Sequence, residues 1–147
     1  MKMESDNLIA TAKTTIHVSI DKVWEALVTP EIIKKYMFGT TVNSNWKEGS
    51  KITWEGEWNG KPYEDKGIIL QFKPGTKLQY SHFSPLSGQT DSPENYHTVT
   101  IDLIEKDGQT NVSLSQDHNE TEQAKEHSEK NWNMMLSGLK KLLEGNG

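Results

Sequence analysis

The longest amphipathic pattern in the chain lies at its C-terminal end, in residues 120–144. On a helical wheel of about 3.6 residues per turn, the apolar side chains of this stretch fall within an arc of about 120°. The pattern therefore predicts one long helix with a single apolar face. The apolar face is formed by Ala124, Trp132, Met135, Leu136, Leu139, Leu142 and Leu143. We expect Asn119 to cap this helix together with Glu122, and Gly145 to end it.

The N-terminal part of the chain predicts one strand followed by two short helices. Residues 8–20 are rich in β-forming residues and alternate in polarity. The residues predicted to face inward are Ile16, Val18 and Ile20. Asp21 is expected to cap the first short helix, and Thr29 to cap the second, with Pro30 in its first turn. Gly39 is expected to end the second helix.

Alternating polarity predicts further strands in residues 51–58, 63–73, 77–83, 96–105 and 109–118. The residues predicted to face inward are Ile52, Trp54, Gly56 and Trp58; Ile68, Leu70 and Phe72; Leu78, Tyr80 and His82; His97, Val99, Ile101 and Leu103; and Val112, Leu114, Gln116 and His118. The dipeptide Asn59-Gly60 predicts a two-residue hairpin. Because successive hairpins build antiparallel sheets, the predicted fold class is α+β with an antiparallel sheet.

Length and composition exclude several classes of protein. The 147 residues are expected to form a single domain, residues 1–147, with residues 1–7 disordered. The net charge of −5 and the lack of a basic stripe argue against nucleic acid as a partner. No stretch approaches the roughly 20 apolar residues that membrane insertion requires. The chain has no cysteine and no apolar leader at its start, so we expect a cytoplasmic protein.

Four segments together are similar to one known family: IHVSIDKVWEALVTPEIIKKYM, KEGSKITWEG, GIILQFKPGTKLQYSHF and the C-terminal helix. They resemble the Hsp-90 ATPase activator homologue family of the START-like (SRPBCC) superfamily, and the resemblance covers about residues 11–143. It implies the helix-grip fold, in which a curved antiparallel sheet wraps around the long C-terminal helix and leaves a cavity between them. The sequence departs from the family pattern at Tyr36, where tryptophan is common, and at Glu48, which replaces the first glycine of a usual pair.

Several aromatic and polar side chains share the faces that would line this cavity. The candidate ligand-binding residues are Tyr36, Phe38, Trp54, Trp58, His82, His97, Gln116, Trp132 and Met135. A polar group on an apolar face needs a partner, because an unpaired one costs about 1–3 kcal/mol. The two histidines and the glutamine therefore indicate either a hydrated core with mutual hydrogen bonds or the polar end of a bound molecule.

No catalytic residue, metal site or cofactor is predicted. His82, His97 and His118 lie on separate predicted strands without the spacing of a helical zinc motif. The sequence also lacks a nucleophile elbow and a glycine-rich phosphate loop.

The predicted function is non-catalytic binding of a small, largely apolar molecule, either lipid-like or aromatic. The alternatives are a protein-interaction module that acts on a chaperone as an Hsp-90 co-chaperone-like stress regulator, or an enzyme of the same fold. Neither the ligand nor the oligomeric state follows from the sequence.

Overall fold

The computed structural model describes residues 8–37, 39–58, 60–85 and 88–146, apart from the side chains of Trp58 and Asn146. The prediction of disorder in residues 1–7 lies outside these ranges. The elements, in chain order, are β1 (Ala10–Ile16), α1 (Ile20–Val28), α2 (Pro30–Tyr36), β2 (Thr41–Ser44), β3 (Lys51–Trp58), β4 (Lys61–Lys73), β5 (Lys77–His82), β6 (His97–Lys106), β7 (Gln109–Gln116) and α3 (Glu122–Lys141).

Within the described ranges, seven strands form one sheet in the order β1-β7-β6-β5-β4-β3-β2. Every neighbouring pair is antiparallel. The inner face of the curved sheet and the three helices enclose the core, in which Ile16, Ile69, Leu114, Leu136 and Leu139 are among the most buried side chains. This arrangement confirms the predicted α+β class and the helix-grip architecture. No helix in the described part of the chain is both long and apolar enough to cross a membrane.

The first strand is shorter than the prediction, because the chain leaves the sheet after Ile16. Ile20 starts α1 instead of extending the strand, and Ser19 takes the N-cap position that was predicted for Asp21. The physical reason is the amphipathic segment IDKVWEALV, which buries Val23 and two further residues as a helix. The second helix begins as predicted, with Thr29 at the N-cap and proline in its first turn.

The inward face of β4 was predicted wrongly. Ile68 and Leu70 are 47% and 43% exposed, whereas Ile69 is fully buried. The register of β4 against β5 shifts between Ile69 and Gln71, which marks a β-bulge or irregularity. Such a shift returns Phe72 to the core side, where its ring lies 5.3 Å from that of Trp24. Three consecutive aliphatic residues do not alternate, so the pattern could not identify the buried one.

The predicted hairpin between β3 and β4 is consistent with the observed register. Trp58 pairs with Lys61, which leaves two residues between the strands. Gly60 has a φ of +80°, a conformation that glycine adopts without strain. The other predicted turn residue, Asn59, lies outside the described residues.

Helix α3 buries the face that was predicted, but its cap differs. Met135, Leu136 and Leu139 are buried. The hydroxyl of Thr121, not the side chain of Asn119, accepts the backbone N–H of Ala124 at 3.0 Å. Asn119 is instead buried, and its amide donates to the carbonyl oxygens of Leu8 and Gln116. At the other end, Gly145 has a φ of +87° and ends the helical turns, as predicted.

Candidate functional site

The groove between the sheet and the helices is almost completely filled at its centre. The cavity there has a volume of only about 30 Å³. Its lining includes three of the predicted ligand-binding residues, Tyr36, Trp54 and Met135. A volume of about 30 Å³ is the share of one water molecule in the liquid. A ligand of any size can therefore contact these three side chains only if the surrounding side chains move.

Tyr36 and Trp54 are held in place by other parts of the protein. The Tyr36 hydroxyl donates to the carbonyl oxygen of Ala26 at 2.8 Å, and its ring is 6% exposed. Burial raises the pKa of Tyr36 far above its ordinary value, so this phenol remains a neutral donor. The ring of Trp54 lies 5.1 Å from that of Tyr80 and 5.0 Å from that of His82. Both predicted residues are thus part of a packed core in this structure.

A much larger cavity, of about 530 Å³, lies beside the start of helix α3. We call it the mouth cavity. Its lining includes the predicted residues His97 and Gln116, and it also contains the carboxylates of Glu94 and Glu120. Its volume falls within the range of about 300–1,000 Å³ that is usual for small-molecule pockets.

His82 lies next to one lining residue of each cavity. Its ring lies 5.0 Å from Trp54, which lines the central cavity, and 6.4 Å from His97, which lines the mouth cavity. His82 Nε2 is 2.9 Å from Asp65 Oδ2, and the two side chains are 28% and 16% exposed. His97 Nδ1 is 2.9 Å from the carbonyl oxygen of Asp117. Each imidazole is therefore anchored through one nitrogen.

Asp65 is a site residue that the sequence did not indicate. It pairs with Trp54 across β3 and β4, which places its carboxylate on the inner face. Its Oδ1 atom is buried, and it has no hydrogen-bond partner within the described part of the chain. The sequence did not indicate Asp65 because the inward face of β4 was predicted wrongly. If Ile68 faced inward, Asp65 would lie on the outer face of the sheet. With Ile69 inward, Asp65 follows from the strand period of two.

Gln116 and Trp132 form a direct link between the sheet and helix α3. The indole N–H of Trp132 donates to Gln116 Oε1 at 2.5 Å. Gln116 is 9% exposed and Trp132 is half-buried. Trp132 thus lies against the part of β7 that borders the mouth cavity, as the helical phase predicted.

Comparison with known families adds the decisive observation. The sequence profile described as "Activator of Hsp90 ATPase homolog 1-like protein" matches residues 17–144, which is most of the chain. The chain belongs to this family. The resemblance stated above from sequence segments is thereby confirmed.

Solved structures of other proteins share the fold of this family member. The solution structure of ChR145 from Cytophaga hutchinsonii is 62% identical, with 99% of this chain and 98% of that chain covered and a TM-score of 0.86. The Aha1 dimer from Colwellia psychrerythraea is 21% identical, covers 93% and 96% of the two chains, and has a TM-score of 0.73. MLL2253 from Mesorhizobium loti is 18% identical, covers 92% and 96%, and has a TM-score of 0.75. No curated protein matches the chain.

The side chains of two predicted site residues are not described, and His118, which was predicted to face inward, does not do so. Phe38 and the side chain of Trp58 lie outside the described residues. His118 does not continue the inward face of β7, because the strand ends at Gln116 and His118 has a φ of +59°. His118 is instead about half-exposed, with its Nδ1 3.0 Å from Asp117 Oδ1. Among the described residues, no group of three or more histidine, aspartate or glutamate side chains could hold a metal ion.

Proposed function

We propose that this family member binds a small, largely apolar molecule, aromatic or lipid-like, that enters through the mouth cavity and extends past His82 toward Trp54. The observation that supports this proposal is the buried Asp65 Oδ1 atom, which lacks a partner among the described residues. A buried acceptor without a donor costs about 1–3 kcal/mol. A bound molecule that supplies the donor would recover this free energy.

The two cavities suggest how a ligand would be accommodated. The mouth cavity of about 530 Å³ has room for a small molecule, whereas the central cavity of about 30 Å³ does not. His82 lies between them and is 28% exposed, so a rotation of this side chain would join the two volumes. In the proposed complex, His82, His97, Gln116 and Trp132 contact the polar end of the ligand. The deeper contacts are Tyr36, Trp54 and Met135, which line the central cavity. Phe38 and Trp58 are proposed as further contacts on the sequence pattern alone.

The proposal assigns binding without a chemical reaction. In the described site, His82 contacts Asp65 and His97 contacts the carbonyl oxygen of Asp117, and neither ring is bonded to a serine or threonine hydroxyl that could act as a nucleophile. We also propose a cytoplasmic location, which is consistent with a chain that has no cysteine.

A ligand screen tests this function directly. Aromatic and fatty molecules would be added to the protein while tryptophan emission and the melting temperature are recorded. We expect a saturable change in emission and a rise in melting temperature by mass action. Trp132→Ala should weaken binding more than Lys130→Ala, which changes an exposed residue of the same helix. If no compound gives a saturable response, the binding function is rejected.

The polar end of the site can be tested separately. His82→Phe and His97→Phe each retain an aromatic ring but remove its hydrogen-bonding nitrogens. We expect both variants to bind the selected ligand more weakly than the original chain. If both bind it unchanged and are also more stable, these histidines have a structural role and do not contact the ligand.

A second candidate function is protein interaction, with a chaperone of the Hsp90 type as the partner. Ile68 is 47% exposed on the outer face of the sheet and lines a groove of about 690 Å³ together with Pro93 and Tyr96. The family description, which refers to activation of the Hsp90 ATPase, makes this candidate specific. The test is the ATPase rate of such a chaperone with and without the protein. Stimulation that is lost in Ile68→Ser and kept in His82→Phe would favour this second function.

A further inference from the structure

Three polar atoms around His82 make no hydrogen bond within the described part of the chain. One is Asp65 Oδ1, which is buried. The others are the second ring nitrogens of the two histidines, His82 Nδ1 and His97 Nε2, because the contacts of each ring involve its other nitrogen. The rings of His82 and His97 are 6.4 Å apart and tilted by 30°. These three atoms, which we call the free acceptors, belong to side chains that are neighbours at one end of the groove.

The partners of the two histidines determine which nitrogens carry hydrogen. A carbonyl oxygen only accepts, so the bond to Asp117 requires the hydrogen on His97 Nδ1. The carboxylate oxygen of Asp65 likewise requires the hydrogen on His82 Nε2. In the neutral rings, His82 Nδ1 and His97 Nε2 then present lone pairs. Asp65 Oδ1 is the buried one of the three, so a bound molecule that reaches it would have to supply its donor.

Two donors near this end of the groove are already used. The indole N–H of Trp132 is bonded to Gln116 Oε1. The side-chain amide of Asn119 is bonded to the carbonyl oxygens of Leu8 and Gln116. The side-chain amide nitrogen of Gln116 remains as one donor, because within the described residues only the Oε1 atom of this side chain is hydrogen-bonded. The Trp132 indole and the Asn119 amide are thus committed to other acceptors and do not serve the Asp65 carboxylate.

The charged groups around the site also favour a cation over an anion. The chain contains 16 lysines and no arginine, so it has no guanidinium group to clamp a carboxylate or phosphate. The described lining of the mouth cavity contains Glu94 and Glu120 but no lysine. The positive end of helix α3 is nearby, but Thr121 already satisfies one of its N–H groups. The carboxylate of Glu120 also lies at this helix end.

We infer that the ligand carries a primary ammonium group on an apolar body and places this group against Asp65, His82 and His97. A primary ammonium has three N–H donors, which equals the number of free acceptors. Its positive charge pairs with the Asp65 carboxylate, and the nearby Trp54 ring offers a cation–π contact. A fatty-acid carboxylate would bring a fourth acceptor and a like charge to the site. This inference rests on the proposed binding function and specifies the chemical class of its ligand.

A matched series of small molecules tests the inference. Phenylbutylamine, phenylbutanol and phenylbutyrate have the same aromatic body and differ in the polar group. Each would be titrated into ¹⁵N-labelled protein while the backbone amides and the imidazole nitrogens are followed by NMR. We expect phenylbutylamine to bind at least about tenfold more tightly than phenylbutyrate, with the largest shifts at His82 and His97.

Asp65→Asn isolates the contribution of the charge. Asparagine keeps a carbonyl oxygen that can accept from His82, so the ring remains anchored. We expect this variant to bind phenylbutylamine at least about tenfold more weakly and phenylbutanol less than about threefold more weakly. Asp102→Asn is the matched control, because Asp102 lies at the half-exposed outer surface opposite Lys77. Melting temperatures of both variants would verify that they fold.

The outcomes distinguish this inference from the function on which it rests. If phenylbutanol or phenylbutyrate binds best at the His82 end, binding is confirmed and the ammonium assignment is rejected. The assignment is also rejected if Asp65→Asn binds phenylbutylamine unchanged, or if the amine shifts only residues outside the groove. If none of the three molecules gives a saturable shift, and the wider screen also fails, both the function and the inference are rejected.

Discussion

Trp132 on helix α3 donates its indole N–H to Gln116 Oε1 on strand β7, with a nitrogen–oxygen distance of 2.5 Å. Gln116 is 9% exposed, so water has little access to replace this bond. Asn119, in the connection between the two elements, also donates to the Gln116 carbonyl oxygen at 3.0 Å. The end of β7 is therefore bound to the helix through its side chain and to the connection through its backbone.

We predict that Gln116→Leu lowers the free energy of unfolding by about 1–3 kcal/mol, because the Trp132 indole N–H loses its acceptor. Trp132→Phe should also destabilise the protein, since it leaves Gln116 Oε1 without its donor. Because the two residues share one bond, the double variant should lose less than the sum of the single losses. Urea denaturation of the four proteins measures this coupling. Strictly additive losses would show that the bond contributes nothing.

The packing of α3 on the sheet gives a second prediction. Leu139 is fully buried, whereas Met134 on the same helix is 50% exposed. Leu139→Ala should lower the free energy of unfolding by about 2–5 kcal/mol, because it removes buried methyl groups and leaves a cavity. Met134→Ala should change it by less than about 0.5 kcal/mol. A loss below about 0.5 kcal/mol for Leu139→Ala in chemical denaturation would contradict the observed packing.

Two glycines should respond to the same substitution in opposite directions. A Cβ atom on Gly67 would lie 1.7 Å from the carbonyl oxygen of Ser81, and backbone cannot yield as a side chain does. Gly67→Ala should therefore cost about 3 kcal/mol or more by forcing β4 and β5 apart. On helix α3, a Cβ atom on Gly138 would lie 3.6 Å from Tyr36, an ordinary contact. Gly138→Ala should stabilise the protein by about 0.5–1 kcal/mol. Thermal denaturation that gives both variants the same sign would refute the comparison.

Most of the architecture could be predicted from the sequence because its signals are periodic. Helix α3 has an apolar stripe over its whole length, and β5 to β7 alternate without interruption. The short strand Thr41–Ser44 was missed, since four residues are too few to show a period. The prediction also extended the first strand to Ile20, which starts helix α1, and placed the cap of α3 at Asn119 instead of Thr121. In both places neighbouring residues offered equally good local signals, and tertiary packing decided between them.

The candidate site was less predictable than the fold, because it depends on the register of the strands and on how completely side chains fill the groove. Strand and helix periodicity predicted that five side chains would lie together: Trp54, His82, His97, Gln116 and Trp132. Asp65 was missed because the register of β4 shifts between Ile69 and Gln71, within a run of consecutive aliphatic residues that shows no alternation. Periodicity also says nothing of packing density. A cavity between the sheet and the helix was expected from the family resemblance, and the cavity that the structure has there measures only about 30 Å³.

The contact between the C-terminal turn and the end of β1 gives a pH-dependent prediction. Glu144 Oε2 accepts from Lys140 Nζ at 2.8 Å and from the backbone N–H of His17 at 2.9 Å. These bonds, the one from Lys140 first, lower the pKa of Glu144 from an ordinary value of 4.5 to about 2. Because the carboxylate is stabilised in the folded state, its contribution is fully present above about pH 4.5. It is lost as the pH falls toward 2.

Glu144→Gln should therefore have a lower melting temperature than the original chain at pH 7, and the difference should shrink as the pH falls below about 4.5. Glutamine fits the same space but cannot form the ionic contact with Lys140. Glu126→Gln is the control, because Glu126 is exposed on helix α3 and makes no ion pair among the described residues. Melting curves between pH 7 and about pH 2.5 measure the effect. A difference that stays constant across this range would show that the Glu144 carboxylate does not anchor the end of the chain to β1.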